Sequence, residues 1–253
     1  MNNFQTKRLN KIQKNFFENY VEKELHYLKH PLHKYQIEKR YSHAMKMAKL
    51  SKKDTVLEIG CGTGFQILAI KKKCKIYYGV DFSRKAIAVC KKKYGKSRAK
   101  FFLANAEKLP FKEEFFDIIF LIDTFSHFVF PEKILKEVKR VLKPTGRLVI
   151  SVQNENSFFG ILKKIFPTQA KAVSPLIDRW YDKISIAKFL TKNDFRIIDV
   201  RGSFFLPPFF TGKKYLIPAA EKIPILYDPF ENVLSKYISS CGYHLIVCCT
   251  KET

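Results

Sequence analysis

The stretch Val56-Leu57-Glu58-Ile59-Gly60-Cys61-Gly62-Thr63-Gly64 decides how the rest of the chain is read. Val56 to Ile59 is a short apolar run of the kind that forms a buried strand. It breaks into glycines at alternate positions, 60, 62 and 64, ahead of a helix-compatible run from Phe65 to Lys72. The order is strand, tight turn, helix N-terminus. Glycine lets backbone come close to a ligand, and unpaired N–H groups opening a helix favour a carboxylate or a phosphate. These residues alone imply a carboxylate or nucleotide-like ligand.

A second apolar run, Lys75 to Val80, ends in Asp81. An acid at the tip of the second strand is placed to take both hydroxyls of a ribose, which adds a nucleoside to the ligand. The dinucleotide fingerprint G-x-G-x-x-G would need a third glycine at position 65, where Phe65 stands, and it does not call for an acid two residues before the first glycine. The Glu-x-Gly-x-Gly-x-Gly run of Glu58 to Gly64 instead resembles motif I of the class I S-adenosylmethionine-dependent methyltransferases. Three further blocks follow at family spacing: Gly79 to Ser83, Asn105 to Phe111 and Val138 to Arg147.

That resemblance implies an α/β fold with a Rossmann-like, seven-stranded, mostly parallel sheet whose last strand is antiparallel, and helices on both faces. It implies S-adenosyl-L-methionine as cofactor. Glu58 and the backbone of Gly60, Cys61, Gly62 and Gly64 would hold the methionine end, Asp81 the ribose, and Phe82 the adenine face. Asn105 and Ala106 would read the adenine edge, and Asp123 falls on the same side. The family commonly has an acid at position 105; the amide here can still accept from an exocyclic amine. Thr145 replaces a usual glycine. His127, in Asp123 to Phe128 after the fourth strand, is the general-base candidate at the sheet edge where open α/β folds place ligands. A histidine that only bonds a loop carbonyl is the competing reading.

At 253 residues and 46% hydrophobic content, the chain suits one α/β domain with additions. No run reaches the roughly 18 apolar residues of a membrane span, and Met1 to Tyr20 lacks a signal-peptide core, so the expected location is cytoplasmic, with peripheral membrane contact as an option. The six cysteines include no C-x-x-C pair, which suggests reduced, buried thiols rather than a zinc cluster or disulfides. The net charge of +24 fits nucleic acid, an anionic membrane or a lysine-rich composition. Lys71–Lys73 and Lys91–Lys93 close predicted helices away from the cofactor, whereas Lys7, Arg8, Lys11, Lys14, Lys39 and Arg40 belong to an arm nearer the active face.

Along the chain, residues 1–50 read as an amphipathic packing helix interrupted at Pro31, with Ile12, Phe16 and Tyr20 among its apolar positions; in the resembled family such a segment often covers the cofactor, which would give Tyr20, Tyr27 or His33 a lid role. The domain proper covers 51–253. Strands are expected near 55–59, 75–80, 100–104, 116–122, 146–152, 195–202 and 242–250, with helices near 63–72, 84–94 (Ser83 as N-cap), 131–142 and 185–192. Two insertions, 153–183 and 203–241, interrupt this pattern. Their aromatics (Phe158, Phe159 and Phe166; Phe204, Phe205, Phe209 and Phe210) are expected to cap the site and select an apolar acceptor, with a satellite core beneath the insertions as the alternative, while Trp180 and Tyr181 read as a hydrophobic anchor rather than a substrate gate.

The leading expectation is methyl transfer to a small or lipophilic O, N or C acceptor, with no metal. An RNA methyltransferase using the basic arm is the alternative, although Ile122-Asp123-Thr124-Phe125 stands where some amino-directed enzymes carry Asn-Pro-Pro-Tyr. A non-catalytic cofactor-binding scaffold is the third reading.

Overall fold

The computed structural model describes residues 3–165, 178–205 and 217–252. Seven strands, β1 (Thr55–Ile59), β2 (Ile76–Asp81), β3 (Ala99–Leu103), β4 (Phe116–Leu121), β5 (Leu142–Gln153), β6 (Phe195–Ser203) and β7 (His244–Lys251), form one sheet in the order β3-β2-β1-β4-β5-β7-β6. The first five are parallel, and β7 runs antiparallel to both of its neighbours, β5 and β6. Strand order reverses between β1 and β4. In an open α/β sheet the crevice at that reversal, at the carboxyl ends of the strands, is where a ligand binds.

Strand alternation divides the core in two. Leu57, Ile119, Leu148 and Ile150 face one side, against Ile134, Leu135 and Val138 of α5 (Pro131–Val141) and Ile186 and Leu190 of α7 (Lys183–Lys192). Val56, Ile118, Phe120 and Val149 face the other, against α2 (Pro31–Met47), α3 (Ile67–Lys71) and α4 (Arg84–Tyr94). Because side chains along a strand point alternately to opposite faces, adjacent residues such as Val56 and Leu57 serve different cores. The sheet is therefore covered on both sides. Ser83 caps α4 as expected, its Oγ accepting from Ala86 N at 3.1 Å, and Lys91, Lys92 and Lys93 lie in the last turn of that helix.

Three local departures have physical causes. The helix expected over 63–72 is a single short one at Ile67–Lys71, because Gly60, Gly62 and Gly64 all take positive φ (76°, 49° and 72°) and keep the chain in left-handed turns until the loop is complete. β5 begins at Leu142 rather than near 146, since Leu142 pairs with Phe116 directly where α5 ends. Five cysteines are buried, but Cys241 is exposed in a 3₁₀ turn before β7; all six are free thiols.

The N-terminal arm is two helices, α1 (Asn3–Tyr27) and α2, broken where Pro31 takes the first position of the second. Within the insertions, α6 (Phe158–Ile165) and α8 (Ile217–Tyr237) are helical. Phe166 and the expected apolar wall from Leu206 to Phe210 lie outside the described residues, whereas Phe204 is buried beside Glu231 of α8. None of the described helices is long and apolar enough to cross a membrane.

Candidate active site

A cavity of about 670 Å³ opens at the carboxyl edge of the sheet, over the β1/β4 reversal. Gly60, Cys61 and Gly62 after β1, Asp81 and Phe82 after β2, Asn105 and Ala106 after β3, and Asp123 and His127 after β4 all line it. Nine of the expected site residues thus converge on one space. Glu58 and Gly64 do not line it. Gly64 instead packs toward α4, where an added Cβ would lie 2.9 Å from Cys90 Sγ.

The roof of the cavity belongs to α1 and α2. Phe17 of α1 sits between Phe82 (ring centroids 5.9 Å) and His127 (5.5 Å), and Gln13 donates to the His127 carbonyl. Glu18 accepts from Lys85 N at 3.1 Å, which ties α1 to the start of α4. Tyr20 lines the cavity, as its lid assignment required, while His33 stacks on His30 and does not; the Tyr27 side chain lies outside the described residues. Among the described residues, the insertions supply Gln153 at one margin of the cavity, and α1 and α2 supply its cover. Trp180 and Tyr181 are also not in the lining. Tyr181 packs on Phe125 in the core, and Trp180 supports Tyr243, a lining residue, from 5.7 Å.

The glycine loop differs from its sequence reading in one respect. Its N–H groups are already accepted within the protein: Gly60 N (2.7 Å) and Cys61 N (3.1 Å) by Val80 O, Gly62 N by Asp81 Oδ2 (3.0 Å), Thr63 N by Glu24 Oε1 (3.3 Å) and Gly64 N by Cys61 O (2.9 Å). The loop is held rigid rather than presented as an open nest. Its glycines are still required, since a Cβ at Gly60 would meet the Thr124 side chain at 2.4 Å.

Glu58 is wholly buried beneath the loop. Tyr41 of α2 donates to its Oε1, and Tyr77 of β2 donates to Oε2 at 2.5 Å. Burial raises its pKa to about 7, against the lowering effect of the two tyrosines and with further upward pressure from Glu24 and Asp81. The motif acid thus braces β1, β2 and α2 together from beneath the loop, with Tyr41 standing between it and the cavity.

Asp81 stands in the cavity with both oxygens engaged, Oδ2 by Gly62 N and Oδ1 by Ser83 N at 2.8 Å. Each carboxylate oxygen can accept a second bond, so its orientation is fixed and capacity remains for two hydroxyl donors. Burial pushes its pKa upward, only partly offset by the backbone donors. Asn105 Oδ1 accepts from Glu107 N at 3.0 Å, which pins the amide that faces the adenine side.

At the other end of the cavity is a cluster that sequence reading missed. Arg40 of α2, 4% exposed, places Nη2 2.5 Å from Asp123 Oδ2 and Nη1 3.0 Å from His244 Nδ1. Asp123 itself takes a left-handed φ of 56° that aspartate tolerates, and Ser151 Oγ donates to its Oδ1 at 3.1 Å. Burial raises the Asp123 pKa, but Arg40, His244 and Ser151 outweigh it and leave the group below its ordinary range. His244 is driven down to about 3 by burial and by Arg40, so it is neutral and a poor base. Asp123 is therefore committed to Arg40, and its expected role toward the cofactor is at most shared.

A doubly covered sheet in this strand order, with a glycine loop after β1 and an acid at the tip of β2, defines a class I S-adenosylmethionine-dependent methyltransferase. The Methyltransferase domain family matches residues 57–150. An uncharacterized protein of Methanocaldococcus jannaschii is 32% identical over 203 residues, which is 80% of this chain and 81% of that one. The ubiquinone/menaquinone biosynthesis C-methyltransferase of Wigglesworthia glossinidia brevipalpis is 34% identical over 118 residues, 44% of this chain and 47% of that protein. Among solved structures, a SAM-dependent methyltransferase of Thermotoga maritima superposes with a TM-score of 0.68 at 23% identity, covering 94% of this chain and 99% of that one. The chain belongs to the class I S-adenosylmethionine-dependent methyltransferase family, and S-adenosylmethionine is its cofactor. The cavity fits that group: a buried carboxylate at the ribose position, Phe82 and Leu103 for a flat base, and a pinned amide at its edge.

Proposed function

We propose that this protein methylates a small, lipophilic acceptor. The observation that supports the reading is the composition of the cavity beyond the loop: Phe17, Val21, Leu28, Ile37, Phe128 and Val129 surround a space covered by α1, with Arg40, Gln153 and His244 as its polar corner. Such a site suits an apolar molecule oriented by a few polar contacts better than a phosphate backbone.

Bound cofactor supplies an electrophilic methyl group on a good neutral leaving group. The protein's part is to hold donor and acceptor in line, to exclude water, and to take a proton where the acceptor carries one. Asp81 and Asn105 fix the nucleoside end. Phe17 and Tyr20 close the space. His127, 8% exposed in the 3₁₀ turn Phe125–His127 at the tip of β4, is the proton acceptor in this reading.

A lipid-like acceptor is favoured by two exposed apolar rows. Phe158, Ile161 and Ile165 of α6 are 51%, 48% and 61% exposed, and Phe230, Val233 and Tyr237 of α8 repeat the same spacing of three and four. Lys163 and Lys164 accompany the first row. This is the pattern of a helix that rests on a membrane surface. Incubation with methyl-labelled cofactor and separate lipid, small-molecule and RNA extracts tests the acceptor class. Label is expected in the lipid or small-molecule fraction. Label confined to RNA would replace this reading with one in which the basic arm holds phosphates. Co-sedimentation with anionic vesicles should be lost in a Phe158→Ser, Ile161→Ser variant; equal sedimentation of both proteins would remove the membrane contact.

A further inference from the structure

The amino-acid end of the cofactor carries an ammonium group, and the acid that the family motif places nearest to it, Glu58, lies outside the cavity lining with each oxygen taken by a tyrosine hydroxyl, Tyr41 and Tyr77. Another acid reaches the same loop from the opposite side. Glu24, in the last turn of α1, lines the cavity and lies over Gly62, where an added Cβ would approach Glu24 Oε1 to 2.7 Å. Both of its hydrogen bonds within the described structure fall on Oε1, from Thr63 N at 3.3 Å and Thr63 Oγ1 at 3.2 Å. A carboxylate gripped through one oxygen keeps the accepting capacity of the other.

The other acids of the lining stand elsewhere. Asp81 accepts two backbone bonds at the ribose position, Asp123 is paired with Arg40, and Glu107 follows β3 two residues beyond Asn105, away from the glycine loop. With the loop N–H groups themselves taken up inside the protein, the loop has no free amide array for an anion, and the group it offers is the acid it holds. Resting on the cofactor assignment, we propose that Glu24, carried in by α1 and positioned by Thr63, binds the ammonium of the cofactor's amino-acid end. The arm thereby completes the cofactor site as well as covering it. Burial holds the Glu24 pKa near 7 in the free protein, against the Thr63 bonds and with added repulsion from Asp81. A cation placed beside it would favour the charged form.

Calorimetry on the full chain with two nucleosides tests this. S-adenosylhomocysteine has the amino-acid end; methylthioadenosine lacks it. In Glu24→Gln, which keeps size and one accepting oxygen, S-adenosylhomocysteine affinity should fall about tenfold to a hundredfold, as for a lost charge-assisted bond, while methylthioadenosine affinity stays unchanged. Glu24→Asp, which keeps the charge on a shorter stem, should fall between the two. The melting temperature of each ligand-free variant reports whether the arm still docks. Unchanged or tighter binding of S-adenosylhomocysteine by Glu24→Gln would overturn the proposal, the tighter case meaning that Glu24 occupies space the cofactor needs. Equal losses for both nucleosides would also overturn it, as a packing defect. A wild-type protein that binds neither nucleoside would instead defeat the cofactor assignment itself, which separates the two failures.

Discussion

The Tyr77 hydroxyl donates to Glu58 Oε2 at 2.5 Å, and the pair sits wholly buried at the junction of β1 and β2. Tyr41 completes the arrangement from α2. A carboxyl in that position resists ionisation, and its pKa stands at about 7 against an ordinary 4.5. Since the folded value exceeds the unfolded one, the stabilisation from this group is fully present below pH 4.5 and is lost as pH rises through about 7. The shift corresponds to about 3 kcal/mol at most. Urea unfolding of the ligand-free protein should show lower stability at pH 8 than at pH 5, and Glu58→Gln should reduce that slope, leaving the part that Glu24, with its pKa also raised to about 7, contributes in the same direction. A variant as pH-dependent as the wild type would remove Glu58 as the cause.

Asp81 accepts from the N–H groups of Gly62 and Ser83 and, in the proposed cofactor reading, takes the ribose hydroxyls as well. Asp81→Ala should weaken S-adenosylhomocysteine binding by about 2–3 kcal/mol, as expected for lost charge-assisted hydrogen bonds. It should also lower the melting temperature of the free protein, because buried donors then lack acceptors. NAD should not bind either protein. Calorimetry and thermal melts check the two effects separately, and an unaltered affinity would take Asp81 out of the site.

The ion pair between Arg40 and Asp123 joins α2 to the tip of β4 across the cavity. Arg40→Met leaves Asp123 without its counter-charge and should cost about 3 kcal/mol, the low end for a broken buried pair because Asp123 is partly exposed. Asp123→Asn in the same background should recover part of that loss. A double-mutant cycle from denaturant midpoints measures the coupling; strictly additive losses would show that the pair is energetically idle.

How much of this was legible in the chain depends on sequence distance. The buried run from Val56 to Ile59, the alternate glycines, Asp81 and the Ser83 cap are local signals, and each lies where its pattern placed it. The apolar period from Phe65 onward was legible too, but it overstated the helix because three left-handed glycines delay its start. The stripe of Ile12, Phe16 and Tyr20 announced an amphipathic helix without saying what it would cover. Glu24 on that helix reads like any surface acid, and only docking over Gly62 gives it a role. Arg40, Asp123 and His244 come from three distant elements and meet through sheet order alone. Glu58 is the converse case. Its position in the motif was legible, but the tyrosines that grip its carboxyl lie on β2 and α2, and no spacing in the motif encodes them.

His127 allows the sharpest test of the chemistry, because its backbone and its ring face separate tasks. Its carbonyl accepts from Gln13 and so anchors α1, while its ring borders the cavity against Phe17. Replacing the ring with a methyl group leaves the carbonyl, and with it the Gln13 bond, in place. If the ring takes the acceptor's proton, His127→Ala should lower kcat roughly 10²–10⁴-fold with little change in S-adenosylhomocysteine affinity. Gln13→Ala provides the contrast. Loss of that bond loosens the arm, so it should raise the cofactor KM while kcat stays near the wild-type value. A His127→Ala enzyme with unchanged kcat would return the ring to a packing role beside Phe17. In that case the acceptor would have to reach the site already ionised or react without losing a proton before transfer.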